Sequence, residues 1–84
     1  MDSFVYRCAQ RPGTYVYLRE RDAFGMLPPE LARRLGTLEF VFEVALTAQR
    51  RLAHADPEVV RRNLLANGFY LQLPPAEQAP ARAE

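Results

Sequence analysis

In the stretch Leu38-Glu39-Phe40-Val41-Phe42-Glu43-Val44-Ala45-Leu46, large apolar side chains fall on every second position. Glu39 and Glu43 sit between them. A period of two is the signature of a β-strand with one apolar face and one partly solvated face. A helix would scatter the same five residues around its circumference. The chain must therefore build a sheet, and this strand is expected to form the inner wall of its core.

The other segments supply partners for that strand. Phe4 to Cys8 reads as a first strand, with Phe4, Tyr6 and Cys8 on one side and Val5 and Arg7 on the other. Pro12-Gly13 turns the chain, because Pro presets φ and Gly accepts a positive φ. Thr14 to Leu18 returns as a strand rich in β-formers on both faces, which suits a sheet covered on both faces. Arg19 to Asp22 is a solvated turn, with Phe24 expected to tuck back as a lone apolar anchor. Pro28-Pro29 opens a short helix that turns Leu31, Ala32 and Leu35 inward, and Gly36 is expected to stop it in a left-handed cap position. Thr47 to Ala55 reads as a polar connector holding a turn or two of helix. Asp56-Pro57-Glu58 is the clearest local signal: a cap, a proline at the first helical position and an acid at the positive end of the dipole. This last helix runs to Asn67 and Gly68 ends it. Gly68 to Leu73 is the final strand, and Pro74-Pro75 cannot continue a ladder. Residues 76–84 are rich in Ala, Pro and Glu and are expected to be a disordered tail. The order is ββαβααβ. It implies an α/β (α+β) fold, a small, mostly antiparallel sheet of three or four strands with helices on both faces, an α/β/α sandwich.

Eighty-four residues allow one domain, here residues 1–75, with a thin core. The net charge is only +1, with eleven basic residues, all Arg, against ten acids. The absence of Lys excludes a Schiff-base lysine and a phosphate-binding loop of the Walker type. One Cys leaves no intramolecular disulfide and fits a reducing compartment. Neither a signal peptide nor an apolar run of about 20 residues is visible, so a cytoplasmic protein without a membrane partner is expected.

Several of these segments occur in a familiar order and spacing. They are Tyr6-Arg7, Thr14-Tyr15-Val16-Tyr17, Asp22-Ala23-Phe24, Leu27-Pro28-Pro29-Glu30-Leu31 and Gly36, then Arg51-Leu52-Ala53-His54-Ala55-Asp56. The run Gly68-Phe69-Tyr70-Leu71-Gln72-Leu73-Pro74-Pro75 is the most specific. Together they resemble the YcgL family of small bacterial proteins, over residues 4–75. The resemblance implies an α/β/α sandwich around an antiparallel sheet and brings no catalytic residues, since the family's function is uncharacterised. The resemblance also implies a link to RNA metabolism, because genes of that family lie near that for ribonuclease D. Cys8 stands where the family pattern has Ser, Ala45 where it has Pro, and Thr47-Ala48 where it has Asp-Gly.

The catalytic inventory is poor. Cys8, the one thiol, lies on an apolar strand face, whereas His54, the one imidazole, lies in the connector. A nucleophile needs its base within hydrogen-bond reach, so a buried inert thiol and a solvated His are expected, with no metal site and no cofactor. Glu39 and Glu43, four apart on a strand, are expected on the same face with Cα atoms about 13 Å apart, too far for a glycosidase pair. Tyr15, Tyr17 and Tyr70, with Tyr6, could stack bases, but the same residues suit a two-sided core. The remaining candidate surface is Arg50, Arg51, Arg61 and Arg62, which outnumber Asp56 and Glu58 nearby and flank a helix N-terminus. The expected function is a non-enzymatic binding or interaction module with a protein partner. The alternative is an RNA-associated protein using that arginine cluster, linked to RNA processing. The sequence leaves the oligomeric state open.

Overall fold

The computed structural model describes residues 1–47 and 56–74. Strand β1 is Asp2–Cys8, β2 is Tyr15–Leu18, a single 3-10 turn spans Phe24–Met26, helix α1 is Pro29–Leu35, β3 is Leu38–Ala45, α2 is Pro57–Asn67 and β4 is Phe69–Gln72. The expected connector helix and the tail at 76–84 lie outside the described residues. Every strand pairing is antiparallel, in the order β3-β1-β2-β4. The small α+β fold read from the sequence is the fold observed.

The connections explain the layers. The chain leaves β2, passes through α1 and re-enters the sheet at β3, on the far side of β1. From β3 it passes through α2 to β4 at the opposite edge. Val60 and Leu64 of α2 pack with Val5, Tyr17, Val44 and Leu46 on one face of the sheet. Leu35 of α1 and Leu27 pack with Tyr6, Cys8, Val16 and Leu18 on the other. Two thin cores thus share one sheet.

One expectation is overturned by this order. The stretch at Leu38–Ala45 is not the inner wall; it is an edge strand, and β1 and β2 are central. Val5, Tyr6, Val16, Tyr17 and Leu18 are buried, and they come from both faces of the central strands. Strands covered on both sides read as continuous apolar runs, whereas clean alternation marks a strand with a wet side. The most regular pattern in the chain therefore belongs to its periphery.

A β-bulge also breaks that alternation. Val5 pairs with Phe42 but the next residue, Tyr6, pairs with Phe40, which leaves Val41 as the extra residue. An inserted residue flips the remainder of its strand to the other face. Leu38 and Phe40 consequently share the α1 face with Cys8 and Tyr6, while Phe42 and Val44 share the α2 face with Val5 and Ser3. For the same reason Glu39 and Glu43 lie on opposite faces, Glu39 across from Arg7 and Glu43 across from Phe4. The expectation that they share a face fails on one residue.

Local signals at the last helix are as read. The Asp56 side chain accepts a hydrogen bond from the Glu58 N–H at 2.9 Å, and Pro57 is the first helical residue. Gly68 closes the helix in the left-handed region, at φ 86 and ψ −5, and its N–H donates to the Leu64 carbonyl. Gly36 differs: its φ is positive, at 69, but ψ is −137, so it leaves α1 extended rather than as a left-handed cap. Only glycine adopts that backbone freely.

Candidate functional site

The outer edge of β3 has no strand partner among the described residues. An edge strand presents a row of backbone donors and acceptors ready to pair with another chain. Here the middle of that edge is also apolar: Phe40 is 39% exposed, Val41 43% and Phe42 41%. The bulge sends Phe40 and Phe42 to opposite faces, so the exposed surface wraps the edge rather than lying on one side.

On the α1 face the surface is held by a ring cluster. Phe24 and Phe40 meet the Tyr6 ring edge-on at centroid distances of 5.1 and 5.6 Å. Such contacts stabilise by about 0.5–1.5 kcal/mol beyond area burial. The Arg21 guanidinium lies 4.1 Å from the Phe40 ring centre, a cation–π contact. Tyr6 is fixed from behind: its hydroxyl donates to Asp22 Oδ1 at 2.8 Å and accepts from the Asp22 N–H at 2.6 Å. Asp22 takes a positive φ of 59 to make both contacts, a conformation Asp tolerates better than most residues. Burial pushes the Tyr6 pKa above its ordinary value, and the Asp22 carboxylate adds to that rise. Phe24, expected as a tucked anchor, stacks on Tyr6 yet stays exposed.

Beside this cluster is a hollow of about 160 Å³, lined by Phe24, Leu27, Ala32, Gly36 and Leu38. It is close in size to the roughly 150 Å³ cavity that accepts benzene in a protein interior. A single Leu or aromatic side chain would fill it. On the other face of the sheet, Arg7 reaches Glu39 at 2.6 Å across the strand pair; that hydrogen bond and charge raise the Arg7 pKa. Glu43 has no ion pair among the described residues.

The other sequence candidates fall elsewhere. Arg61 is held by Glu58 one turn back, with contacts of 2.7 and 2.9 Å. Arg62 is exposed on the same helix. Arg50, Arg51 and His54 lie outside the described residues, so the four arginines are not seen as one patch. Cys8 is buried and its thiol donates to the Leu35 carbonyl at 2.9 Å. The tyrosines do not form one platform. Tyr6 lies on the α1 face, while Tyr17 and Tyr70 meet edge-on at 5.9 Å on the α2 face, where the Tyr17 hydroxyl reaches Gln72 Oε1 at 3.1 Å. Among the described residues no group of three His, Cys, Asp or Glu could hold a metal ion, and no helix is long and apolar enough to cross a membrane.

Sequence reasoning missed the edge itself. The available signal was Phe40-Val41-Phe42, three consecutive large apolar residues that no strict alternation can bury on one face.

The comparisons with known proteins agree with this architecture's lineage. The YcgL domain model matches residues 3–75. A YcgL domain-containing protein of Stenotrophomonas maltophilia is 53% identical over 76 residues, covering 90% of this chain and 88% of its own. One from Xanthomonas campestris is 47% identical over 74 residues, covering 88% and 86%. Another from Thioalkalivibrio sulfidiphilus is 42% identical over 80 residues, covering 95% and 99%. With a family match across nearly the whole described fold and such relatives, this chain belongs to the YcgL domain family.

Proposed function

We propose that this domain is a non-enzymatic interaction module that docks an extended segment of a partner protein along the outer edge of β3. The observation that carries this reading is an eight-residue edge strand, without a strand partner on its outer side among the described residues, with Phe40, Val41 and Phe42 exposed at its centre. Main-chain hydrogen bonds to an added strand supply affinity, and pockets for alternate side chains supply specificity. The 160 Å³ hollow beside Leu38 is such a pocket for one anchoring side chain.

Charge selects the partner. Glu39 and Glu43 bracket the apolar centre; Arg7 already holds Glu39, whereas Glu43 has no ion pair among the described residues, which favours a segment with an apolar middle and an Arg or Lys placed to meet Glu43. RNA association finds less support, because Arg61 is already engaged by Glu58. The domain acts in the cytoplasm on this reading, as the lone reduced Cys suits.

The test is a photo-crosslinking residue placed at Phe42 or, as control, at Leu65, an equally apolar exposed position on α2 (53%). The crosslinked peptides from native cells are then sequenced. Phe42 should join a basic-flanked apolar segment of another protein, Leu65 should not, and Glu43→Arg should remove the adduct. Adducts joining two copies, adducts to RNA, or none at Phe42 would overturn the proposal.

A further inference from the structure

Helix α1 has seven residues, so it is about 10 Å long. The sheet beneath it spans four strands, about 14 Å between its outer strands. One short helix cannot cover that face, and a hollow remains on each side of it. The hollow toward β3 belongs to the docking edge. The other lies toward β4 and has a different character.

This second cleft has a volume of about 290 Å³. Its apolar wall is made by Leu31 and Leu35 of α1, by Leu71 of β4 and by Leu73 just past the end of that strand. Thr14, buried at 2% exposure, is the polar residue within it. Two guanidinium-bearing residues complete the lining: Arg11 from the β1–β2 turn and Arg34 from α1. Neither makes an ion pair among the described residues, although neighbouring Arg33 pairs with Glu30 at 3.4 Å. Two positive charges with no ion pair among the described residues, at a leucine-walled cleft, define a chemistry. The head should be anionic and planar enough for a guanidinium fork, and the tail aliphatic. The volume is about twice that of a benzene-sized cavity, room for about ten to twelve non-hydrogen atoms.

We infer that the cleft between α1 and β4 binds a small amphipathic anion, a medium-chain aliphatic carboxylate, with Arg11 and Arg34 on the head and Leu31, Leu35, Leu71 and Leu73 around the tail. The site is separate from the β3 edge and stands whether or not that edge docks a partner. It is not a base-binding surface, since none of its lining residues is aromatic.

The test is an amide chemical-shift titration of the full chain with octanoate, octanol and octylammonium, each below its aggregation concentration. Octanoate should bind saturably and shift the amides of Thr14, Leu35, Leu71 and Leu73, leaving those of Phe40 to Phe42 in place. Octanol and octylammonium should bind at least about tenfold more weakly, as should octanoate to the Arg11→Gln/Arg34→Gln variant. Both arginines are exposed, so the variant keeps its fold, checked by an unchanged spectrum elsewhere. Equal affinity for octanol would show a merely greasy hollow. That result, undiminished binding by the double variant, or no saturable shift at about 10 mM octanoate would overturn the inference.

Discussion

The sheet has two edges and they are finished in opposite ways. At one end β4 is four residues long, begins directly after the Gly68 helix cap and meets Pro74 two residues after it ends. Pro74 packs against the turn, where a Cβ on Gly13 would come within 3.2 Å of its ring, and α2 packs on the strand. Short strands and prolines are common means of blunting an edge. At the other end β3 is twice as long, bulged, and carries three exposed apolar residues in succession. The difference teaches that apolar surface at an edge has two uses. At β4 it is enlisted for folding. At β3 much of it is surplus to folding, and surplus apolar area at an open edge is where a partner gains binding energy.

The contrast between the edges is most exposed to a truncation pair. Leu64, on the inward side of α2, is fully buried in the cluster against which Tyr70 of β4 packs, and Leu64→Ala should lose about 2–4 kcal/mol in denaturant unfolding. Phe42→Ala should lose less than about 1 kcal/mol, since the ring is already 41% exposed. Similar losses would mean that the β3 edge is core and the contrast is false. Next in size is the joint where α2 hands over to β4. Gly68→Ala forces a side chain into positive φ against Met26 and should lose about 1–2 kcal/mol, more than Ala66→Gly does; a smaller loss would misplace the helix end.

Ser3 sharpens the picture on the β3 side. It pairs with Val44, is completely buried, and its hydroxyl has no hydrogen-bond partner among the described residues. Removing that unsatisfied group in Ser3→Ala should raise stability by about 1 kcal/mol, seen as a higher unfolding midpoint; a fall would reveal a partner. A further effect appears only in alkali. Because the folded state raises the Tyr6 pKa above 10.0, it holds the phenol proton more tightly than the unfolded chain does. That contribution is complete below pH 10 and is lost as pH rises through the folded pKa. Tyr6→Phe should lessen the alkaline decline, and an unchanged decline would remove this group as its source. The smallest effect on stability is expected from Val41→Lys, within about 0.5 kcal/mol, yet it should abolish crosslinking from Phe42. A lysine on an edge is a common bar to strand addition.

How much of the molecule was legible in the sequence depends on how local each signal is. Asp56, Pro57 and Gly68 act within a turn or two of themselves, and the last helix lies where they place it. Two-sided burial was legible at β2, where Tyr15 to Leu18 are unbroken in apolar character; β1, which carries Ser3 and Arg7, did not announce it. Strand order was not, because nothing in Leu38–Ala45 states which neighbours it has. The bulge was not either, since it arises from the pairing of β3 with β1, whose residues Arg7 and Glu39 are 32 apart in sequence, and it alone decides which face each Glu takes. The Arg11–Arg34 cleft was invisible for the same reason: its walls come from a turn, a helix and a strand that only the fold brings together.

The most direct test of the open edge is amide hydrogen exchange along β3, first in the free chain and then with the crosslinked partner segment supplied as a synthetic peptide. In the free chain the β3 amides bonded to β1 should be protected, and those pointing away should exchange within about tenfold of an unstructured peptide. The peptide should slow the outward set on β3 and leave β4 unchanged. Outward amides already protected in the free chain, or protection by the peptide that appears anywhere but β3, would contradict the account.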